Sequence, residues 1–146
     1  MEPEITFQGT KKIEEFVILG NELLDKTSPP LIFGDNILIR SHSVIYAGSK
    51  IGNNFCTGHG VLIRENNFIG HNVSIGSHSV VESDSIIEDN VRIHSNVFIP
   101  EYSKIMHNAW IGPNVVFAND KYPPLAKNMK GPVIEPYVKV GANSTI

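Results

Sequence analysis

Residues 69–81 read Ile69-Gly70-His71-Asn72-Val73-Ser74-Ile75-Gly76-Ser77-His78-Ser79-Val80-Val81, and the register they set continues in both directions. Steps of six from Phe33 land on Ile39, Ile45, Ile51, Thr57, Ile63, Ile69, Ile75, Val81, Ile87, Ile93, Ile99, Ile105, Ile111 and Phe117. Twelve of these fifteen anchors are Ile or Val, so the step cannot be chance. Four residues after an anchor comes a second inward candidate, small or β-branched, as at Ser43, Ser49, Val61, Val73, Ser79, Ser85, Val91, Val97, Ser103, Ala109 and Val115. A six-residue period fits neither a helix, whose apolar stripe recurs every 3.6 residues, nor a long strand that alternates by two. It fits very short strands separated by tight corners. One rung cannot bury its anchor alone, so the rungs must stack into a solenoid with a shared aliphatic column. A β-sandwich would need longer strands at irregular spacing.

This pattern resembles that of the hexapeptide-repeat acyltransferases: an aliphatic residue, Gly or similar, two variable residues, then a small one. The resemblance covers nearly the whole chain. It implies an all-β fold, a left-handed parallel β-helix with three hexads, hence eighteen residues, per triangular coil. The hand comes from the resemblance, because general topology favours right-handed crossovers.

At 146 residues the chain suggests a single β-helix domain spanning 1–146. A net charge of −3 offers no basic patch for nucleic acid or an anionic membrane. No apolar run approaches the roughly 20 residues needed to span a bilayer, and Met1-Glu2-Pro3-Glu4 lacks a signal pattern. The one cysteine, Cys56, excludes an internal disulfide and fits a reducing, cytoplasmic setting. Nothing in its sequence context marks it as an activated nucleophile.

The six-residue step is visible earlier, at Phe7, Ile13 and Leu19, which makes residues 5–19 a first, irregular coil. Gly20 to Pro30 interrupts it with turn residues at both ends, and Glu22-Leu23-Leu24-Asp25 suits one helical turn. The large departure is residues 118–132, which carry three prolines and no hexad register. A regular solenoid that ejects a long loop is expected to build a site with it. Register resumes at Ile134, Val140 and Ile146. Because Ile146 is an anchor and solenoids need polar caps, the expectation is a chain lacking its C-terminal coils and cap.

With eighteen residues per coil, residues that far apart stack about 4.8 Å from one another. His42, Gly60, His78 and Asn96 then form one column, and Ser41, His59, Ser77 and Ser95 its neighbour, with His94 beside them. Four of the six histidines therefore share an edge. His71 and His107 form a pair on another.

Two chemistries compete for the histidine edge. In acyl transfer from acetyl-CoA the acceptor loses a proton as it attacks the thioester, and His suits that task near neutrality. In metal-assisted hydration, the γ-class carbonic anhydrases share this fold and hold zinc with three His across a subunit boundary. His42 and His78, like His71 and His107, match two of those ligands in spacing. The third position, five residues further on, holds Ser83 or Gly112, so no metal is expected. A non-catalytic scaffold is the third alternative.

Two segments are more specific. Thr57-Gly58-His59-Gly60-Val61-Leu62-Ile63-Arg64-Glu65 and Asn119-Asp120-Lys121-Tyr122-Pro123-Pro124 resemble segments of one acyltransferase subgroup, which includes enzymes that N-acetylate amino sugars carried on nucleotides. The resemblance implies His59 as base with His78 near it. Asn119, Asp120 and Tyr122 would bind substrate, Tyr122 either stacking on a ring or packing as a buried hinge. Arg64 and Glu65 stand as a surface ion pair or as further substrate contacts. Gly141 and Ala142 would border acetyl-CoA, although Gly-Ala is also ordinary hexad composition. It further implies a homotrimer with sites between subunits, pairing the histidine edge of one chain with the loop of its neighbour.

Overall fold

In the computed structural model, which describes residues 3–22, 28–124 and 129–146, the hexads become rungs of a left-handed parallel β-helix. The early rungs are longer, as at Ile5–Phe7, Lys11–Ile13, Ile18–Asn21 and Leu31–Phe33. From Lys50–Ile51 onward each rung is a two-residue strand, as at Phe68–Ile69, Ser74–Ile75 and Val80–Val81. Every paired strand is parallel, and in the regular coils its partner lies eighteen residues on, as Ile69 pairs with Ile51 and Ile87. Three sheets result, seven, seven and five strands deep. Face A carries the anchors Phe7, Phe33, Ile51, Ile69, Ile87, Ile105 and Ile134. Face B carries Ile13, Ile39, Thr57, Ile75, Ile93, Ile111 and Val140. Face C carries Leu19, Ile45, Ile63, Val81 and Ile99.

The corners explain the residues between anchors. Three places after an anchor the backbone turns through positive φ, near 60° at most such positions, and Asn supplies nine of the fifteen non-glycine residues there. Asn tolerates this region better than other side chains, since its short amide can hydrogen-bond locally. It also forms a ladder: the side-chain amides of Asn36, Asn54, Asn72 and Asn90 donate in sequence, each to the next, at 2.8–2.9 Å.

Inside, Ile69, Ile87 and Ile105 are wholly buried, as are nearly all other anchors from Phe33 to Phe117. Burying one such side chain is worth roughly 1.5–3 kcal/mol, and backbone hydrogen bonds such as Gly52 N to Ile69 O at 2.8 Å tie each coil to the next beyond the two-residue strands. The second inward column is buried as well, and it includes Ile37, Phe55 and Asn67 beside the expected small residues. Its serines bridge coils. Ser79 Oγ donates to His94 O at 2.9 Å and accepts from Val97 N at 3.1 Å. Among the described residues no buried side-chain polar atom lacks a partner.

Two excursions break the coil length. Phe7 pairs with Phe33, and Ile105 with Ile134, in place of partners eighteen residues on. The first begins after Asn21, not at Gly20, because the strand Ile18–Asn21 absorbs Gly20 with a register shift. The helical turn expected at Glu22–Asp25 falls mainly on residues 23–27, outside the described residues.

The three outer surfaces differ. Face A shows Thr6, Ile32, Lys50, Phe68, Ile86, Lys104 and Val133, and face B shows Lys12, Leu38, Cys56, Ser74, Arg92, Trp110 and Lys139. Face C shows Ile18, Val44, Leu62, Val80, Phe98 and Val116, an apolar row followed in the last coil by Thr145. Parallel sheets apolar on both surfaces are normally covered on both. Among the described residues no helix is long and apolar enough to cross a membrane.

Candidate functional site

The edge joining faces B and C gathers the histidines as the eighteen-residue ruler requires. Ser41, His59, Ser77 and Ser95 follow their anchors by two places. Gly60 N, His78 N and Asn96 N donate to Ser41 O, His59 O and Ser77 O, which fixes the stacking. His42 and His78 sit at the positive-φ corner, with φ of 63° and 59°, where Asn is usual. Gly60 separates them, and a Cβ placed on it would come within 2.8 Å of His78 Nδ1, so the glycine makes room for that ring. His42 lies against Phe16 at 5.1 Å, and His94 against Trp110 at 4.7 Å.

His59 has the richest surroundings. Its Nδ1 is 2.9 Å from Ser41 Oγ and 3.9 Å from Glu14 Oε2, while its backbone N–H donates to Ser77 Oγ. Glu14, from the first coil, accepts from Arg40 Nη1 at 2.6 Å and from Ser41 N at 3.1 Å. The Arg40 hydrogen bond, then that of the Ser41 backbone, holds the Glu14 carboxyl below the usual carboxylate range. The His59 side chain is 56% exposed, so its ring is open to a partner or ligand. Gly141 and Ala142 stand on this same edge, Ala142 four coils from His59, about 19 Å at about 4.8 Å per coil.

The remaining candidates occupy the C/A edge. Arg64 grips Glu65 with two hydrogen bonds, 2.8 and 3.0 Å, and lies 3.7 Å from Glu82 and 5.0 Å from the Tyr46 ring centre. The ion-pair reading of Arg64 and Glu65 is therefore the arrangement observed. Further along the same edge, Asn119 Nδ2 donates to Glu101 O at 3.4 Å, and Asn119 O accepts from Lys130 N at 3.0 Å. That second bond closes the base of the loop. Asp120 Oδ1 accepts from Tyr122 N at 2.9 Å, and Tyr122 is 64% exposed with Lys121 Nζ 5.5 Å from its ring centre. Tyr122 is not a buried hinge. Of the loop, residues 125–128 lie outside the described residues.

Within one prism, then, His59, His78, Gly141 and Ala142 share one edge, and Arg64, Glu65, Asn119, Asp120 and Tyr122 share another, with face C between them. Glu14 is the neighbour that sequence reading did not find. Its signal was weak, because the irregular first coil breaks the eighteen-residue ruler between it and Ser41.

Other features lie elsewhere. A depression of about 220 Å³, bordered by Gln8, Gly34, Lys50, Phe68 and His71, opens on face A, away from His59. Cys56 faces outward on face B, and burial pushes its thiol upward, which disfavours the thiolate. Among the described residues no three His, Cys, Asp or Glu side chains are grouped to hold a metal ion within one chain.

Residues 68–100 and 90–120 each match the family model described as bacterial transferase hexapeptide (six repeats). The match supports a place among the hexapeptide-repeat proteins and fits acyltransferase-type activity in general terms. No curated protein matches the chain.

Proposed function

We propose that the chain is an acetyl-CoA-dependent acetyltransferase acting on an amino group of a nucleotide-linked sugar, as a homotrimer with its sites between copies. The observation that carries this reading is that the two subgroup-like segments bracket a face that is apolar on its outer surface. Thr57–Glu65 runs from His59 on the B/C edge, across face C, to Arg64 and Glu65 on the C/A edge, where the loop also emerges. Three copies turning face C to a common axis form a closed ring in which each B/C edge meets the C/A edge of the next copy. Burial of the row from Ile18 to Val116 would drive that assembly.

Asn119 is three coils beyond Glu65, about 14 Å along the axis. With the base closed between Asn119 and Lys130, residues 120–129 reach at most about 17 Å out and back, enough to approach the level of His59 in a neighbour. In that cleft His59 takes the proton from the attacking nitrogen. The nitrogen–carbonyl bond forms, the carbon–sulfur bond breaks, and the departing thiolate of CoA receives a proton. His78 lines the same edge. Asn119 and Asp120 hydrogen-bond sugar hydroxyls, Tyr122 stacks on a ring, and Arg64 and Glu65 frame the acceptor. Gly141 and Ala142 lie where the pantetheine approaches the edge.

The direct test is thiol release from acetyl-CoA with a panel of amino-sugar nucleotides, beside sedimentation analysis of the protein. Acceptor-dependent release by a trimer is expected, and Val80→Glu, which charges face C, should give monomers without turnover. No CoA binding by calorimetry and no release with any acceptor would overturn the reading in favour of a scaffold.

A further inference from the structure

We propose that Glu14 and Ser41 are positioning residues that hold His59 in the Nδ1–H tautomer, leaving the Nε2 lone pair outward as proton acceptor. This rests on the reading of His59 as base. The geometry is specific to Nδ1: Ser41 Oγ at 2.9 Å and Glu14 Oε2 at 3.9 Å lie beside the same ring nitrogen. A hydroxyl can donate or accept, so Ser41 alone does not choose a tautomer. The carboxylate decides. Its negative charge favours a proton on the facing nitrogen, so Nδ1–H donates to Ser41 Oγ.

Glu14 keeps its place whichever way the ring is turned, because Arg40 and the Ser41 backbone N–H bind it independently of His59. When Nε2 accepts a proton during transfer, the imidazolium gains a carboxylate neighbour on its far side. Orienting a histidine through its second nitrogen is how a base is kept in one protonation form.

His71 supplies an internal reference. It stands at the equivalent place on the A/B edge, two residues after its anchor, but its Nδ1 accepts the Asn53 backbone N–H at 2.9 Å. That bond requires the opposite tautomer, with the proton on Nε2.

The experiment is long-range nitrogen–proton NMR of imidazole-labelled protein above neutral pH, with His59→Gln and His71→Gln to assign the signals. The expected result is His59 protonated on Nδ1 and His71 on Nε2. Glu14→Gln should shift His59 toward a mixture or the other tautomer while His71 is unchanged, which also reports an intact fold. Arg40→Met should leave His59 as it is, because Ser41 N–H still holds Glu14. In turnover, Glu14→Gln should lower kcat by about tenfold with KM unchanged, as expected for an effect felt only in the transition state, and Glu14→Asp should recover part of it. An Nε2–H tautomer for His59 in the native protein, or one indifferent to Glu14→Gln, overturns the proposal. Failure of the acetyltransferase reading is separable: the tautomer result would stand while His59→Ala left every measured activity intact.

Discussion

His59 and His71 occupy equivalent corners of consecutive edges, and they are held in opposite ways. On the A/B edge the side chains cap the backbone of the preceding coil in an unbroken chain. Asp35 accepts from Thr10 N, Asn53 from Asp35 N, His71 from Asn53 N, and Asp89 from His71 N. His107 departs from this pattern: its Nδ1 is 3.0 Å from Glu88 Oε2, which also accepts its backbone N–H, so its ring caps no backbone group. On the B/C edge Glu14 already serves Ser41 N, so the ring of His59 has no backbone group to cap. A histidine becomes available for chemistry here because another residue has taken over its structural task.

The sharpest way to break this comparison is to remove each ring in turn. His59→Ala should lower turnover by about 10²–10⁴, the usual contribution of general-base catalysis, with thermal stability little changed. His71→Ala should do the reverse, reducing stability by about 0.5–1.5 kcal/mol for a lost hydrogen bond and leaving kcat intact. Turnover lost equally in both would mean that the edges do not differ in function.

Next in size is the shared core. Ile87→Ala, at a wholly buried anchor, should cost about 2–5 kcal/mol in denaturant unfolding. Both edges depend on that column, so the loss should come as one cooperative transition.

A third measurement uses acid. The His107 side chain, its backbone N–H and then Lys104 hold Glu88 below its ordinary value of 4.5. A carboxyl lowered in the folded state contributes stability that is fully present above its unfolded value and lost as pH falls through the folded one. Stability should therefore decline below about pH 4.5, and Glu88→Gln should flatten part of that decline. An unchanged acid limb in the variant would remove Glu88 from the account.

The smallest effect is expected at Arg64. Its partly exposed ion pair with Glu65 should be worth no more than about 1 kcal/mol, so Arg64→Met should barely move the unfolding midpoint. A larger loss would mark the C/A edge as structural and weaken its assignment to substrate.

Much of the architecture was legible in the order of residues. The six-residue step placed the anchors, and stacking at eighteen put His42, His59, His78 and His94 on one edge, because identical rungs leave no freedom in where a corner falls. Phe55 and Asn67 were harder to place inward, being too large or too polar for a column of small residues. Asn67 is buried because its amide donates to Arg64 O at 2.8 Å and accepts from Ser85 N at 2.8 Å. Tyr122 could not be assigned from spacing, since the loop has no period.

The sequence alone thus determined the solenoid, its core and the edge to which each candidate belongs, since a strict repeat turns chain position directly into place. Only the tertiary structure decided which histidines are committed to the backbone and which are open. It also brought Glu14 beside His59 across an irregular coil. Those outcomes depend on where individual polar atoms find partners between coils, and that pairing has no periodic signature in the chain.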